Sequence, residues 1–389
     1  MKILVISHDS SFRGGANKSL FTVIKMLKEK FGVEIEVLMP RRKGEFQTVL
    51  ANIGVQTYNS RYFVTISELH NNPKDYLRRL KVLALYIYDL FLSKLLEHKF
   101  KEQQYDLVYT NTRVVTIGAL LSKKMRIPHV THVREFGPEQ PLWGFWNHKK
   151  IYKLSDKIIL ISKALEKTFS DCVPNDKLIT IYNGIDTPFT NKKKGFNKRL
   201  NLLISGSLAK TKGQLDAIKS LGHLKENEWC EGVKLFIAGS APQNKQFQKY
   251  KIQMVETIQK LNLEENIVFL GEVSDMGTLR AKMDVELICS KEGFGRVTVE
   301  AMRSRLLAIG ANVGATPEII ENGVTGLLYE HGNYKDLADK IKFVHENRER
   351  AEAIALYGRI FSESNFTIEK NVKEILEIFK SVLLSRNEK

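Results

Sequence analysis

The chain has 389 residues, of which 43% are hydrophobic and 27% charged, and its formal net charge is +16 at pH 7. That length is enough for two domains with separate cores. The three cysteines, Cys172, Cys230 and Cys289, are scattered without CxxC spacing, which excludes a disulfide framework and a cysteine-based zinc site. The charge is uneven. Residues 1–195 hold 32 Lys and Arg against 18 Asp and Glu, and the remainder holds 28 against 26. Nucleic acid is the first partner to test for a basic half. No helix-turn-helix, zinc or RNP pattern accompanies the charge, so no nucleic-acid partner is expected. An anionic membrane surface, a pyrophosphate-bearing acceptor or a generally basic proteome all fit the asymmetry. The chain opens directly on a strand, KILVIS, without a signal peptide, and a reducing cytoplasmic location fits the cysteines.

Apolar runs of strand length alternate with helical patterns through the first half: 3–7, 34–39, 55–58, 106–111, 128–133, 157–162 and 178–183. This alternation predicts an open parallel sheet with helices on both faces, and such sheets bind ligands at the carboxyl ends of their strands. After the first strand comes HDSSFRGGANKSL, in which Gly14 and Gly15 stand before a helix and would let the backbone approach a phosphate or sugar; Arg13 is beside them. A plain turn is the alternative. Residues 74–101 read as one long helix, apolar nearly all round from Leu80 to Leu96 with basic ends, and too polar to span a bilayer. It is a core helix of the sheet or an interfacial one. The loop PLWGFWNHKK adds Trp143 and Trp146, which suit a membrane rim or a sugar-stacking acceptor cleft. Strand five closes with HVTHVREFGP, carrying His132 and Arg134.

A polar, basic stretch at 191–199 reads as a linker, and a second alternating series follows at 200–205, 233–239, 267–270, 285–290 and 306–310. The loop GSLAKTKGQLDAI brings Lys210 and Lys212 between a strand and a helix. In KEGFGRVTVEAM, a buried strand runs into the turn Gly293–Phe294–Gly295 and then a helix start at Arg296 and Val297, with Glu292 before the turn and Glu300 on the helix. Strand, glycine turn and helix start form a corner whose amides and dipole favour phosphate, and the carboxylates could accept from sugar hydroxyls on either side. Two solvated glutamates beside a tight turn are the alternative. Asp-x-Asp occurs nowhere, and no GxGxxG follows either half's first strand, which argues against a metal-clamped diphosphate and against an NAD enzyme.

Taken together, these motifs resemble the family 4 glycosyltransferases, retaining enzymes of the GT-B architecture. The resemblance spans essentially the whole chain and is strongest from 181 to 328. It implies two Rossmann-like domains facing each other across a cleft: an acceptor-binding domain at 1–190, a linker at 191–199, a nucleotide-sugar-binding domain at 200–364, and a C-terminal helix, 365–389, crossing back to the first domain. It implies that Glu300 accepts from the ribose diol and Glu292 grips the donor sugar. Lys212, joined by Lys210, Gly14, Gly15 and the 293–297 turn, meets the diphosphate, and His132 stands beside the reacting sugar. The family's phosphate-gripping arginine is replaced by Ser207 here. Arg13, Arg134, Trp143 and Trp146 fall on the acceptor side. The nucleotide sugar, a UDP-sugar by preference, is a co-substrate, and neither cofactor nor metal is implied. The acceptor is a saccharide, soluble or lipid-linked, in capsule or cell-surface polysaccharide synthesis, with peripheral contact at the inner membrane face. A non-catalytic partner subunit of the same fold and a transferase acting on a protein are the competing alternatives.

Overall fold

The computed structural model describes residues 1–12, 15–40, 44–63, 74–136, 153–170, 173–186, 195–227, 232–241 and 245–387. They form two compact units, 1–184 with 368–389, and 185–367. Arg13, Gly14, Trp143 and Trp146 lie outside the described residues.

The first unit is built on a seven-stranded sheet, parallel throughout, in the order β3-β2-β1-β4-β5-β6-β7. Its strands are β1 (Lys2–Ile6), β2 (Glu34–Pro40), β3 (Gln56–Ser60), β4 (Leu107–Thr110), β5 (His129–Val133), β6 (Lys157–Leu160) and β7 (Leu178–Thr180). Strand alternation divides β1 between two cores. Ile3 and Val5 join Leu20, Ile24 and Leu27 of α1 (Gly15–Phe31). Leu4 and Ile6 meet Leu92, Leu96 and Phe100 of α3 (Lys74–Phe100) and Leu121 of α4 (Ile117–Met125). Both sheet faces are therefore covered, and the strands read as unbroken apolar runs for that reason. The last helix, α13 (Ile368–Asn387), belongs to this unit; its Val372, Ile375 and Phe379 complete the first core, with Phe379 edge-on to Tyr109 of β4. Two shorter helices, α2 (Glu45–Asn52) and α5 (Lys163–Phe169), fill the remaining crossovers. Only one face of α3 is buried, through Val82, Asp89, Leu92, Ser93 and Leu96.

The second unit repeats the plan with six parallel strands, ordered β10-β9-β8-β11-β12-β13. They are β8 (Leu200–Ser205), β9 (Val233–Ala238), β10 (Ile267–Gly271), β11 (Val285–Ile288), β12 (Leu307–Ala311) and β13 (Leu327–Tyr329). Around them lie α6 (Gln214–Glu226), α7 (Lys245–Lys260), α8 (Met276–Arg280), α9 (Arg296–Arg303), α10 (Thr316–Ile319), α11 (Tyr334–Glu346) and α12 (Arg348–Asn365). In both sheets the chain winds outward one way and then returns to continue the other way. The reversal falls between β1 and β4 in the first unit and between β8 and β11 in the second. A crevice opens at the carboxyl ends of such a strand pair, and ligands of open α/β sheets bind there.

Candidate active site

In the second unit the loops leaving β8 and β11 bring the predicted residues together at the switch point. After β8 the chain makes a short 3-10 turn at Lys210–Lys212 and enters α6 through Gly213. Gly213 has φ +70°, and a Cβ there would fall 2.5 Å from the Cβ of Cys289. Glycine is thus the residue that lets this turn rest against the end of β11. The close approach delivers Lys212 to the residues following Cys289: its Nζ is 2.6 Å from Glu292 Oε1. Ser290 Oγ donates to the same oxygen, so both donors converge on Oε1. Glu292 is anchored from behind: its carbonyl accepts from the Ala315 N–H at 3.0 Å, and a Cβ on Gly314 (φ +63°) would lie 2.5 Å from that carbonyl oxygen. Lys210, at the start of the same turn, is exposed.

Gly295 caps α9, whose first backbone N–H groups have no intrahelical acceptor. Gly293 is half-buried, and Phe294 is buried edge-on against Phe366, so the aromatic ring fixes the turn in the core. Val297 is half-buried in the first turn of α9. One helical turn further, Glu300 is held on both oxygens, by Arg296 Nε at 2.8 Å on Oε1 and by Arg280 Nη1 at 3.0 Å on Oε2. Each carboxylate oxygen can accept two hydrogen bonds, so Glu300 keeps acceptor capacity.

Arg280 and Glu286 escaped the sequence reading. Arg280 ends α8 and is 2% exposed; its Nε and Nη2 reach Glu286 at 2.8 and 3.2 Å. Glu286 sits within β11, fully buried, and also accepts from Ser205 Oγ at 2.6 Å. Burial opposes the charge on Arg280, but the two carboxylates outweigh it and hold its pKa above the usual guanidinium value. The signal available in sequence was the acid inside the apolar strand Val285–Ile288, since a buried carboxylate must be paired.

In the first unit, His132 is the penultimate residue of β5, fully buried. Its Nδ1 meets Tyr109 OH at 2.5 Å and Arg134 Nη2 at 3.3 Å. Arginine can only donate, so Nδ1 accepts and the ring proton lies on Nε2, which is buried and has no partner among the described residues. Burial and then the Arg134 charge push the His132 pKa well below its ordinary value, so the ring is neutral near pH 7. Arg134 itself is buried and tied to Asn111 Oδ1 and Asn183 Oδ1, each at 2.6 Å. It braces His132, a role that a place on the acceptor side did not suggest. The loop after β1 carries His8, whose pKa burial also lowers, against the raising charges of Glu135 and Asp9. Gly15 opens α1 at the same edge. Tyr109 and Asn111 were not singled out by sequence, and Asn183 was read only as a turn residue, because their partners are far away in the chain.

Two family models match, and together they span most of the chain: "Glycosyltransferase Family 4" over residues 13–189 and "Glycosyl transferases group 1" over residues 186–361. Among curated relatives, N-acetyl-alpha-D-glucosaminyl L-malate synthase of Bacillus anthracis is 26% identical over 316 residues, covering 76% of this chain and 80% of its own. The capsular polysaccharide biosynthesis glycosyltransferase CapM of Staphylococcus aureus is 26% identical over 46% of this chain and 45% of its own. Among solved structures, Anabaena Alr3699/HepE in complex with UDP superposes with a TM-score of 0.77 at 25% identity, covering 98% of this chain and all of that one. With its two doubly wound units and these matches, the chain belongs to glycosyltransferase family 4 and is a glycosyltransferase of the GT-B fold.

Proposed function

We propose that this glycosyltransferase uses a nucleotide diphosphate sugar, a UDP-sugar by preference, and transfers the sugar with retention of configuration to a saccharide acceptor. The observation that carries this reading is the meeting of Lys212 and Glu292 at the β8–β11 switch point, with Glu300 fixed one turn into α9. A diphosphate at the start of α9 gains from the helix dipole and from Lys212, which leaves Glu292 for the phosphate oxygens as the donor enters. Glu292 then turns to the sugar hydroxyls and to the positive charge growing at the anomeric carbon, while Lys212 and the amides of 293–297 take the charge of the leaving diphosphate. Arg280 and Arg296 hold Glu300 where it accepts from the ribose diol. The neutral His132 donates through Nε2 to a sugar oxygen. No metal enters this scheme; an ammonium and main-chain amides do its work, with Lys210 standing in for the arginine that Ser207 replaces.

The donor preference is supported by the UDP in the Anabaena structure, and the acceptor class by the capsular relative in Staphylococcus aureus. The acceptor in this reading is a saccharide of capsule or cell-surface polysaccharide assembly, lipid-linked at the inner membrane face in keeping with the basic first half of the chain. The test is a thermal-shift series with UDP-, GDP-, ADP- and dTDP-sugars. A UDP-sugar at a hundredfold its Kd adds about 2.7 kcal/mol to stability. We expect that gain to persist in EDTA and to vanish in Glu300→Ala; no stabilisation by any of the four rejects the reading.

A further inference from the structure

The helix α3 has two apolar faces, and the fold uses only one. Val82, Leu92, Leu96 and Phe100 point into the sheet. On the opposite side Tyr76, Leu77, Leu80, Ile87, Phe91 and Leu95 recur at helical spacing and stand in solvent; Leu77, Phe91 and Leu95 are 67%, 69% and 70% exposed. A solvent-facing helix surface is ordinarily polar, and an exposed apolar stripe of this length marks a docking surface. No acidic side chain interrupts the stripe. Exposed Arg79, Lys81 and Lys99 flank it, and exposed Lys94 stands within it.

One flank of the stripe opens into a groove of about 970 Å³ between α3 and α4, at the amino ends of β4 and β5 and so away from the edge that carries His132. Exposed Leu90 of α3 is shared by stripe and groove, and Lys101, Lys123, Lys124, Arg126 and Lys153 line the groove against a single acid, Glu97. An apolar strip bordered by a cationic trough matches the layering of an anionic leaflet, with acyl chains below and phosphates above. A second copy of the chain is a poorer occupant, because pairing two such faces sets lysine rows against each other. Among the described residues no helix is long and apolar enough to cross a membrane, so the contact is one of lying on the surface.

We propose that the outward stripe of α3 and the groove beside it form a docking surface for an anionic lipid bilayer. The stripe enters the interfacial layer, and the groove receives lipid phosphates. The proposal goes beyond the transfer reaction and stands without it, because none of these residues belongs to the donor site.

The test is flotation of the full chain with vesicles of phosphatidylcholine alone and of phosphatidylcholine mixed with phosphatidylglycerol. Two variants are compared, Leu77→Ser/Phe91→Ser/Leu95→Ser and Lys123→Glu/Lys124→Glu, each checked for its fold by circular dichroism and for donor binding by thermal shift. We expect the wild type to float with the mixed vesicles and not the neutral ones, and each variant to partition roughly tenfold less or weaker. Unchanged donor binding in both variants separates this surface from the active site. A wild type that stays down with both vesicles, or a triple serine variant that floats as well as the wild type, overturns the proposal. So does a wild-type dimer that the same variant makes monomeric while neither protein floats, since the face then covers a second copy.

Discussion

Replacing Lys212 by alanine tests how the donor is held. An ammonium roughly 4 Å from a phosphate oxygen is worth about 4 kcal/mol at an effective dielectric near 20. The Lys212 side chain is 33% exposed, and screening by solvent reduces this to about 2–3 kcal/mol. The same change strips Glu292 of its 2.6 Å cationic partner and leaves its charge, held by Ser290 alone, facing the anion, which adds in the same direction. At about 1.4 kcal/mol per decade, UDP affinity falls roughly 30- to 150-fold in Lys212→Ala. Loss of a part-exposed pair costs the fold only about 1 kcal/mol or less, so the protein remains folded. Lys212→Arg keeps the charge and most of the affinity. Isothermal titration of UDP reads all three proteins, and a Kd for Lys212→Ala within about twofold of wild type refutes the reasoning.

Other expectations follow from the buried groups. Arg280→Met strands the fully buried Glu286 carboxylate and should cost about 3–5 kcal/mol, whereas Arg280→Met/Glu286→Met recovers most of it; urea unfolding midpoints that rank the double variant no better than the single one contradict this. Burial holds the pKa of His129 down to about 3 and that of His132 well below its ordinary value. Below about pH 6.5 the unfolded chain takes up protons at both sites that the folded chain refuses, so stability falls with pH by about 1.4 kcal/mol per unit per histidine. The two together should remove about 4 kcal/mol between pH 7 and pH 5, and His132→Asn should remove about half of that dependence in urea titrations at the two pH values.

The strands were legible because both faces of each sheet are covered, so β1, β4, β8 and β11 read as apolar runs at their observed positions. Lys212 and Glu292 were each read at a glycine loop after a strand, but their contact with one another was not; it follows from Gly213, which permits the approach to Cys289. What could not be read was long-range pairing. Nothing local joins Tyr109 to His132, Asn111 or Asn183 to Arg134, or Arg280 to Glu300. The short strand β13 was missed because its core of Leu327 and Tyr329 follows a glycine-rich turn and spans only three residues. In α3 an apolar pattern that runs all round hides which face is covered, and the core alternative holds for one side alone.

A crystal of the chain soaked with a UDP-sugar would place the donor directly. The diphosphate is expected at the start of α9 within hydrogen-bonding reach of Lys212, with the ribose hydroxyls on Glu300 and the sugar on Glu292. Nucleotide density away from the carboxyl ends of β8 and β11, or bound there with Glu292 and Glu300 both turned from it, would show that this corner is not the donor site.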